Sequence, residues 1–248
     1  PMATGVLPVF VGRGTRGVEF FEHAEKTYEA TIRLGLSTDT EDITGTVLEE
    51  KEVSVTDGDI QAVLARFRGE IQQIPPMYSA IKVGGKKLYE LARQGKTVER
   101  KGRKIEILEL ELLEGEGTDW RIRVRCSKGT YIRTLCKDIG GALGCGGCME
   151  SLRRVTAGEY TIEKAVPLQT LIESENPGQY LLPVDSMFTQ HPAVTLTEKQ
   201  EKCCRNGVAF TTNLPAGTYR VYAQNGEFLA LSHMVEGKLT TIKSFWAV

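Results

Sequence analysis

The sequence predicts an α+β protein, a mixed or antiparallel sheet with flanking helices followed by a small β-rich C-terminal domain. Three observations lead there. Trp120, Ile122, Val124 and Cys126 alternate with Arg121, Arg123 and Arg125, the period-two pattern of a strand with one buried face. Ile132, Leu135, Cys136, Ile139 and Leu143 then recur at helical spacing, so residues 127–130 form a tight strand-to-helix turn. The strand patterns lie too close together for repeated βαβ crossovers.

Along the chain, residues 26–35 alternate Tyr28, Ala30, Ile32 and Leu34 with polar neighbours and read as a strand. Thr56 with Asp59 resembles a capping box, and Ile60, Val63, Leu64 and Phe67 continue as a helix ended by Gly69. Residues 72–77 contain Pro75-Pro76 and are not helical. A short helix is expected over 86–93, closed by Gly95, then strands near 104–113 and 118–126, the helix from Ile132, and a strand over 155–162. A boundary is expected between Pro183 and Pro192. Beyond it lie a helix over 198–205, a strand over 219–223, a two-residue Asn225-Gly226 hairpin, a returning strand over 227–234 and a third over 239–246.

At 248 residues, with 41% hydrophobic and 25% charged residues, the composition is that of an ordinary soluble globular protein. No apolar run approaches the roughly 20 residues of a membrane span and no basic-then-apolar leader is present, so the expectation is a cytoplasmic protein. Cys126 and Cys136 fall on apolar faces as free thiols, which fits a reducing compartment. Pro1 is not expected to be a translation start, and the chain is expected to be a fragment cleaved or truncated ahead of it. The net charge of −1 hides a concentration: residues 81–104 carry nine basic side chains against two acidic ones, +7, leaving −8 for the rest. A charge run is commonly a solvated face. Here Tyr78, Tyr89 and Gly84-Gly85 are interleaved with the cations, and the pattern is that of a mobile phosphate-binding arm over about 76–104.

An arginine in the first turn of a helix opposes the positive end of the helix dipole, so Arg133 calls for an anionic partner. Its segment, Lys128-Gly129-Thr130-Tyr131-Ile132-Arg133, resembles the strand-to-helix motif of the TruB family of tRNA pseudouridine synthases. So do Met2-Ala3-Thr4-Gly5-Val6-Leu7-Pro8, Lys26-Thr27-Tyr28 leading to Leu34-Gly35 and Thr38-Asp39-Thr40, Gln73-Ile74-Pro75-Pro76-Met77-Tyr78-Ser79-Ala80, and Leu152-Arg153-Arg154, in the family's order. The resemblance runs from Pro1 to about Val184. It implies the pseudouridine synthase fold, a catalytic domain over 1–184, and a PUA-like RNA-binding domain over 190–248, the last by position and pattern only.

Pseudouridine formation breaks the N1–C1′ bond of a uridine, rotates the base and rejoins it through C5. The reaction requires an ionised carboxylate, a cation to keep it ionised, an aromatic face and a pocket for a flipped nucleotide. The resemblance assigns the nucleophile to an aspartate directly before the position of Pro1, outside this sequence, so residues 1–248 alone are expected to be inactive. It assigns the carboxylate's partner to Arg133. It assigns the active-site tyrosine to Tyr28, as a stacking face for the base and a candidate acceptor of the C5 proton. It assigns Tyr131 and Leu152 to the lining of the uridine pocket and Arg16 to a phosphate flanking the flipped nucleotide, and Lys26, two residues before Tyr28 on the same face, is expected to add positive potential. Lys86, Lys87, Arg100 and Lys101 represent the arm's phosphate contacts. Taken alone, each has a plainer reading, as a structural salt bridge for Arg133 or core packing for Tyr28 and Leu152. No metal or organic cofactor is implied. The expected partner is the tRNA T-arm, at uridine 55, with no membrane, no protein partner and a monomeric state. The rival reading is a non-catalytic tRNA-binding protein or folding chaperone on the same fold. A third, a thiol-redox protein using Cys145 and Cys148, lacks the βαβ context such chemistry needs, and a lone Cys-x-x-Cys supplies only two of the four ligands of structural zinc.

Overall fold

A computed structural model describes residues 2–246. The chain divides into two compact units, Pro1–Leu7 with Ala24–Ala165, and Pro8–His23 with Val166–Val248. The expected boundary at 183–192 falls inside the second unit, which also takes in residues 8–23.

In chain order the first elements are β1 (Thr4–Gly5), a 3-10 turn (Gly12–Gly17) and α1 (Val18–Phe21), then β2 (Lys26–Leu34), β3 (Leu36–Thr38) and β4 (Val47–Glu50). There follow α2 (Asp57–Arg66), β5 (Gly69–Gln73), β6 (Lys82–Val83), β7 (Lys86–Lys87) and α3 (Leu88–Ala92). Then come β8 (Arg103–Glu116), β9 (Asp119–Cys126), α4 (Ile132–Leu143), β10 (Gly147–Ala157) and β11 (Tyr160–Thr161). The strands of the first unit form a mixed seven-stranded sheet in the order β1-β10-β2-β9-β8-β5, with β11 on β10. Among the described residues of this sheet, only β1 is parallel to its neighbour.

Alternation in the sequence becomes two faces of this sheet. Ala30, Ile32 and Leu34 of β2, Ile105, Ile107 and Leu110 of β8, and Trp120, Ile122, Val124 and Cys126 of β9 are buried beneath Ile60, Val63 and Leu64 of α2 and Ile132, Leu135, Cys136 and Ile139 of α4. Each large side chain so buried contributes about 1.5–3 kcal/mol. On the opposite face Arg121, Arg123 and Arg125 form ion pairs with Glu29, Glu114, Glu25 and Glu109 at 2.6–3.0 Å. Such exposed pairs contribute about 0–1 kcal/mol each, so they keep the face polar rather than hold the fold.

The capping box is present, with Thr56 and Asp59 bonding each other's backbone N–H. The strand expected at 155–162 is instead the end of β10, which begins at Gly147 and stops at Ala157, where Gly158 turns at a φ of +57°. Register shifts between Met149 and Ser151 and between Arg154 and Thr156 break the period that sequence reading relies on. In the basic segment Leu88 is fully buried, so the segment has an apolar anchor that its sequence pattern did not reveal. Gly95 closes α3 at a φ of +70°.

The second unit carries α5 (Leu168–Glu173), β12 (Ala193–Thr195), α6 (Glu198–Arg205), β13 (Phe210–Thr211), β14 (Gly217–Tyr222), β15 (Phe228–Val235) and β16 (Lys238–Ser244), with its five strands ordered β12-β14-β15-β16-β13. The β14–β15 connection is a three-residue loop, not the expected two-residue turn. Ala223 and Glu227 close it, with Gly226 N–H on Ala223 O at 3.0 Å and Ala223 N–H on Glu227 O at 2.9 Å. Gly226, at a φ of +85°, takes the left-handed position that this loop class requires. The core consists of Leu196, Cys204, Tyr219, Val221, Leu229, Met234 and Leu239, beside an aromatic cluster of Phe188, Phe228 and Phe245.

Close approach of α4 to β10 depends on Gly140, where an added Cβ would lie 2.4–2.5 Å from backbone atoms of Gly146 and Gly147. Gly140→Ala is therefore expected to lower stability by about 1–3 kcal/mol through overpacking, despite the higher helix propensity of Ala. An unchanged urea midpoint would show that the two backbones can part without cost.

Candidate functional site

The turn after β9 is fixed locally. Ser127 N–H donates to Glu106 O and Ser127 Oγ accepts from Glu106 N–H, both at 2.9 Å, while Thr130 Oγ1 donates to Ser127 O at 3.0 Å. Tyr131 caps α4 without a side-chain bond of its own. Its backbone is held by the buried amide of Gln73 at the end of β5, which accepts from Tyr131 N–H at 2.8 Å and donates to Tyr131 O at 3.1 Å. A side chain thus takes the place of a neighbouring strand and sets where α4 begins.

Arg133 finds the anion its position demands in Asp42. Nη1 donates to Asp42 Oδ2 at 3.1 Å and to Thr40 O at 3.4 Å. The other carboxylate oxygen of Asp42 accepts from Thr40 Oγ1 at 2.9 Å, Thr44 Oγ1 at 2.6 Å and Thr44 N–H at 3.1 Å. The side chain of Asp42 is 8% exposed and that of Arg133 28% exposed. Nε and Nη2 of Arg133 have no partner among the described residues. The contacts that hold the guanidinium therefore all run through Nη1.

Tyr28 lies on β2 between Val124 of β9 and Arg154 of β10. Burial pushes its phenol up, the neighbouring Cys126 adds to this, and the Arg154 guanidinium opposes it, so the phenol is neutral at neutral pH. Leu152 sits opposite Ala30, and both Tyr28 and Leu152 pack against the core on the face that α4 covers. Lys26 begins the same strand and donates to Ala24 O at 2.6 Å. Burial, then repulsion from Arg154 and Lys128, holds its pKa below the usual value.

The N-terminal segment is laid along β10. Val6 N–H donates to Arg154 O at 2.9 Å and Arg154 Nε to Val6 O at 2.7 Å. Gly5, at a φ of +107°, has the Arg154 carbonyl 2.1 Å from where a Cβ would stand, so no other residue fits. Met2 packs on the same core as Tyr28 and Leu152. Pro1, whose match locates the family's nucleophile, lies outside the described residues.

In the basic segment Lys86 and Lys101 are exposed, Lys87 lies over the Tyr89 ring at 5.3 Å with Arg93 at the same distance, and Arg100 Nη1 donates to Pro75 O at 3.0 Å. Arg16 belongs to the second unit, where Nη1 donates to Ser244 O at 3.2 Å. Cys145 and Cys148 are buried, and burial pushes the Cys148 thiol up to about 11. Among the described residues no group of three or more His, Cys, Asp or Glu is placed to hold a metal.

Sequence reading missed Asp42 and gave Gln73, though part of a matched segment, no role. Its signal for Asp42 was the unpaired charge of Arg133, but Asp39, Glu41 and Asp42 are equivalent in a string of letters.

The TruB family pseudouridylate synthase N-terminal domain matches residues 1–132, and the tRNA pseudouridylate synthase B C-terminal domain matches residues 133–189. The chain belongs to the TruB family. It is 46% identical over 242 residues to tRNA pseudouridine synthase B of Syntrophomonas wolfei, covering 94% of this chain and 80% of the relative, and 43% identical over 244 residues to that of Pseudomonas putida, covering 95% and 80%. A chain of a Cbf5-Nop10-Gar1 complex superposes with a TM-score of 0.68 at 25% identity, over 98% of this chain and 73% of that one. A chain of an H/ACA RNP bound to a substrate RNA containing 2′-deoxyuridine shares the fold, with a TM-score of 0.69 at 22% identity over 99% of this chain and 73% of that one.

Gln73→Glu keeps the acceptor for Tyr131 N–H but sets a carboxylate oxygen against Tyr131 O. It is expected to destabilise the protein by about 1–3 kcal/mol, the cost of a buried group left unsatisfied. Denaturant unfolding with wild-type stability would remove Gln73 from this role.

Proposed function

We propose that the protein is a tRNA pseudouridine synthase that isomerises the T-loop uridine at position 55, flipping the base into the pocket beside Tyr28, Tyr131 and Leu152. The observation that carries this reading is the half-used guanidinium of Arg133, fixed by Asp42 through Nη1 with Nε and Nη2 open. A cation so placed lowers the pKa of a nearby carboxylate by about 1–3 units and keeps it nucleophilic at neutral pH. The nucleophile is the aspartate that the family has directly before the position of Pro1. The β1 pairing with Arg153 and Arg154 supports its delivery to this face of the sheet. The neutral phenol of Tyr28 serves as a stacking face of about 1–3 kcal/mol rather than as a preformed anion.

The substrate is the T-arm of tRNA. Lys86, Lys87, Arg100 and Lys101 contribute phosphate contacts, with Arg16 and the β-rich unit as further RNA contacts. Lys26 raises the local positive potential. The reaction so written calls for no metal or organic cofactor. The protein acts as a cytoplasmic monomer.

The test compares residues 1–248 with the same chain carrying an aspartate before Pro1, by single-turnover tritium release from tRNA labelled at uridine C5. Turnover is expected only with the aspartate. In that background Arg133→Lys is expected to lose about 10²-fold or more, because Lys keeps the charge without the planar fork. Tight tRNA binding without turnover in the longer protein would favour the non-catalytic tRNA chaperone.

Replacing Lys86, Lys87, Arg100 and Lys101 together by Ala is expected to weaken tRNA binding and to flatten the slope of log K against log salt by about 0.7–0.9 for each phosphate that is no longer neutralised. An unchanged slope would show that these cations do not meet phosphate.

A further inference from the structure

The loop that holds Asp42 makes a second contact with the catalytic helix. Glu41 stands at a φ of +64°, in the left-handed region that glycine normally fills, and is 7% exposed. Its carboxylate accepts from Thr134 Oγ1 through one oxygen and from Lys137 Nζ, at 2.6 Å, through the other. Thr134 follows Arg133 directly, and Thr134 and Lys137 are three apart on one helix face.

Consecutive side chains of an extended chain point in opposite directions, so Glu41 and Asp42 would not ordinarily reach one helix. The left-handed residue removes that restriction, and both carboxylates meet the first turns of α4, Asp42 at Arg133 and Glu41 at Thr134 and Lys137. The loop backbone is tied independently to β10, by Met149 N–H on Glu41 O at 3.0 Å and Ile43 N–H on Met149 O at 2.9 Å. Backbone strain at a buried, fully bonded residue beside a reacting centre marks a position over-determined by its surroundings.

We infer that Glu41 is a positioning residue for pseudouridine formation, clamping the Asp39–Thr46 loop to α4 so that Asp42 holds Arg133 in the orientation that leaves Nε and Nη2 open. This rests on the reaction proposed above. Glu41 acts through Asp42, so its removal should matter only while Asp42 is present to be positioned.

The experiment uses the chain with an aspartate before Pro1 and measures single-turnover pseudouridine formation and tRNA affinity for Glu41→Gly, Glu41→Gln, Thr134→Val, Asp42→Asn and Glu41→Gly with Asp42→Asn. Glu41→Gly suits the left-handed backbone and removes only the clamp. It should lower the rate about tenfold or more while tRNA Kd changes less than about twofold. Glu41→Gln, whose amide oxygen still accepts from Thr134, should recover part of the rate, and Thr134→Val should fall between. With Asp42→Asn already present, Glu41→Gly should cost less than about a further twofold. Full multiplication of the two losses, or wild-type rates in both Glu41→Gly and Thr134→Val, would overturn the inference. If the parent protein forms no pseudouridine, the reaction proposal fails on its own. The clamp is then read by hydrogen exchange at the Ile43 and Thr44 amides, where faster exchange in Glu41→Gly is expected and unchanged exchange would overturn the clamp.

Discussion

A guanidinium in the first turn of a helix is a charge in the wrong place, and much of the first unit is organised around correcting it. Left alone, Arg133 would oppose the positive end of α4 and turn to solvent. Asp42 removes the conflict. Because that carboxylate already accepts from Thr40 and Thr44, it cannot follow the arginine if the arginine moves. One ion pair thereby fixes the guanidinium through Nη1.

Holding one side chain to that precision needs a rigid base. The sheet supplies it by burying a single face: β2, β8 and β9 present an apolar layer to α2 and α4, and the Arg and Glu ladder opposite stays wet. The axial position of α4 is then set at both ends, by the Gln73 amide on Tyr131 and by the contact of Gly140 with the start of β10. Neither of these two constraints involves a charged group, so salt does not screen them.

The basic segment obeys a different logic. Leu88 anchors it in apolar surroundings, and the Lys87, Tyr89 and Arg93 group packs on itself, while most of its cations face water. Exposed cations contribute little to folding and keep their charge available for phosphate.

The sequence by itself determined the elements whose patterning is local: the β9 alternation, the α4 stripe, the Thr56–Asp59 cap and the concentration of charge in residues 81–104. It also determined the family, since the matched segments occur in order, and it determined that Arg133 needs an anion. Only the tertiary structure decided which acid answers, because Asp42 is 91 residues away and the loop between β3 and β4 that carries it has no periodicity to read. The start of β10 was hidden for a related reason, its register shifts erasing the alternation. The roles of Gln73 and Glu41 were invisible for a third reason. A polar side chain that bonds the backbone or a helix far along the chain leaves no mark on its neighbours, and long-range hydrogen bonds are written in the fold rather than in the local pattern.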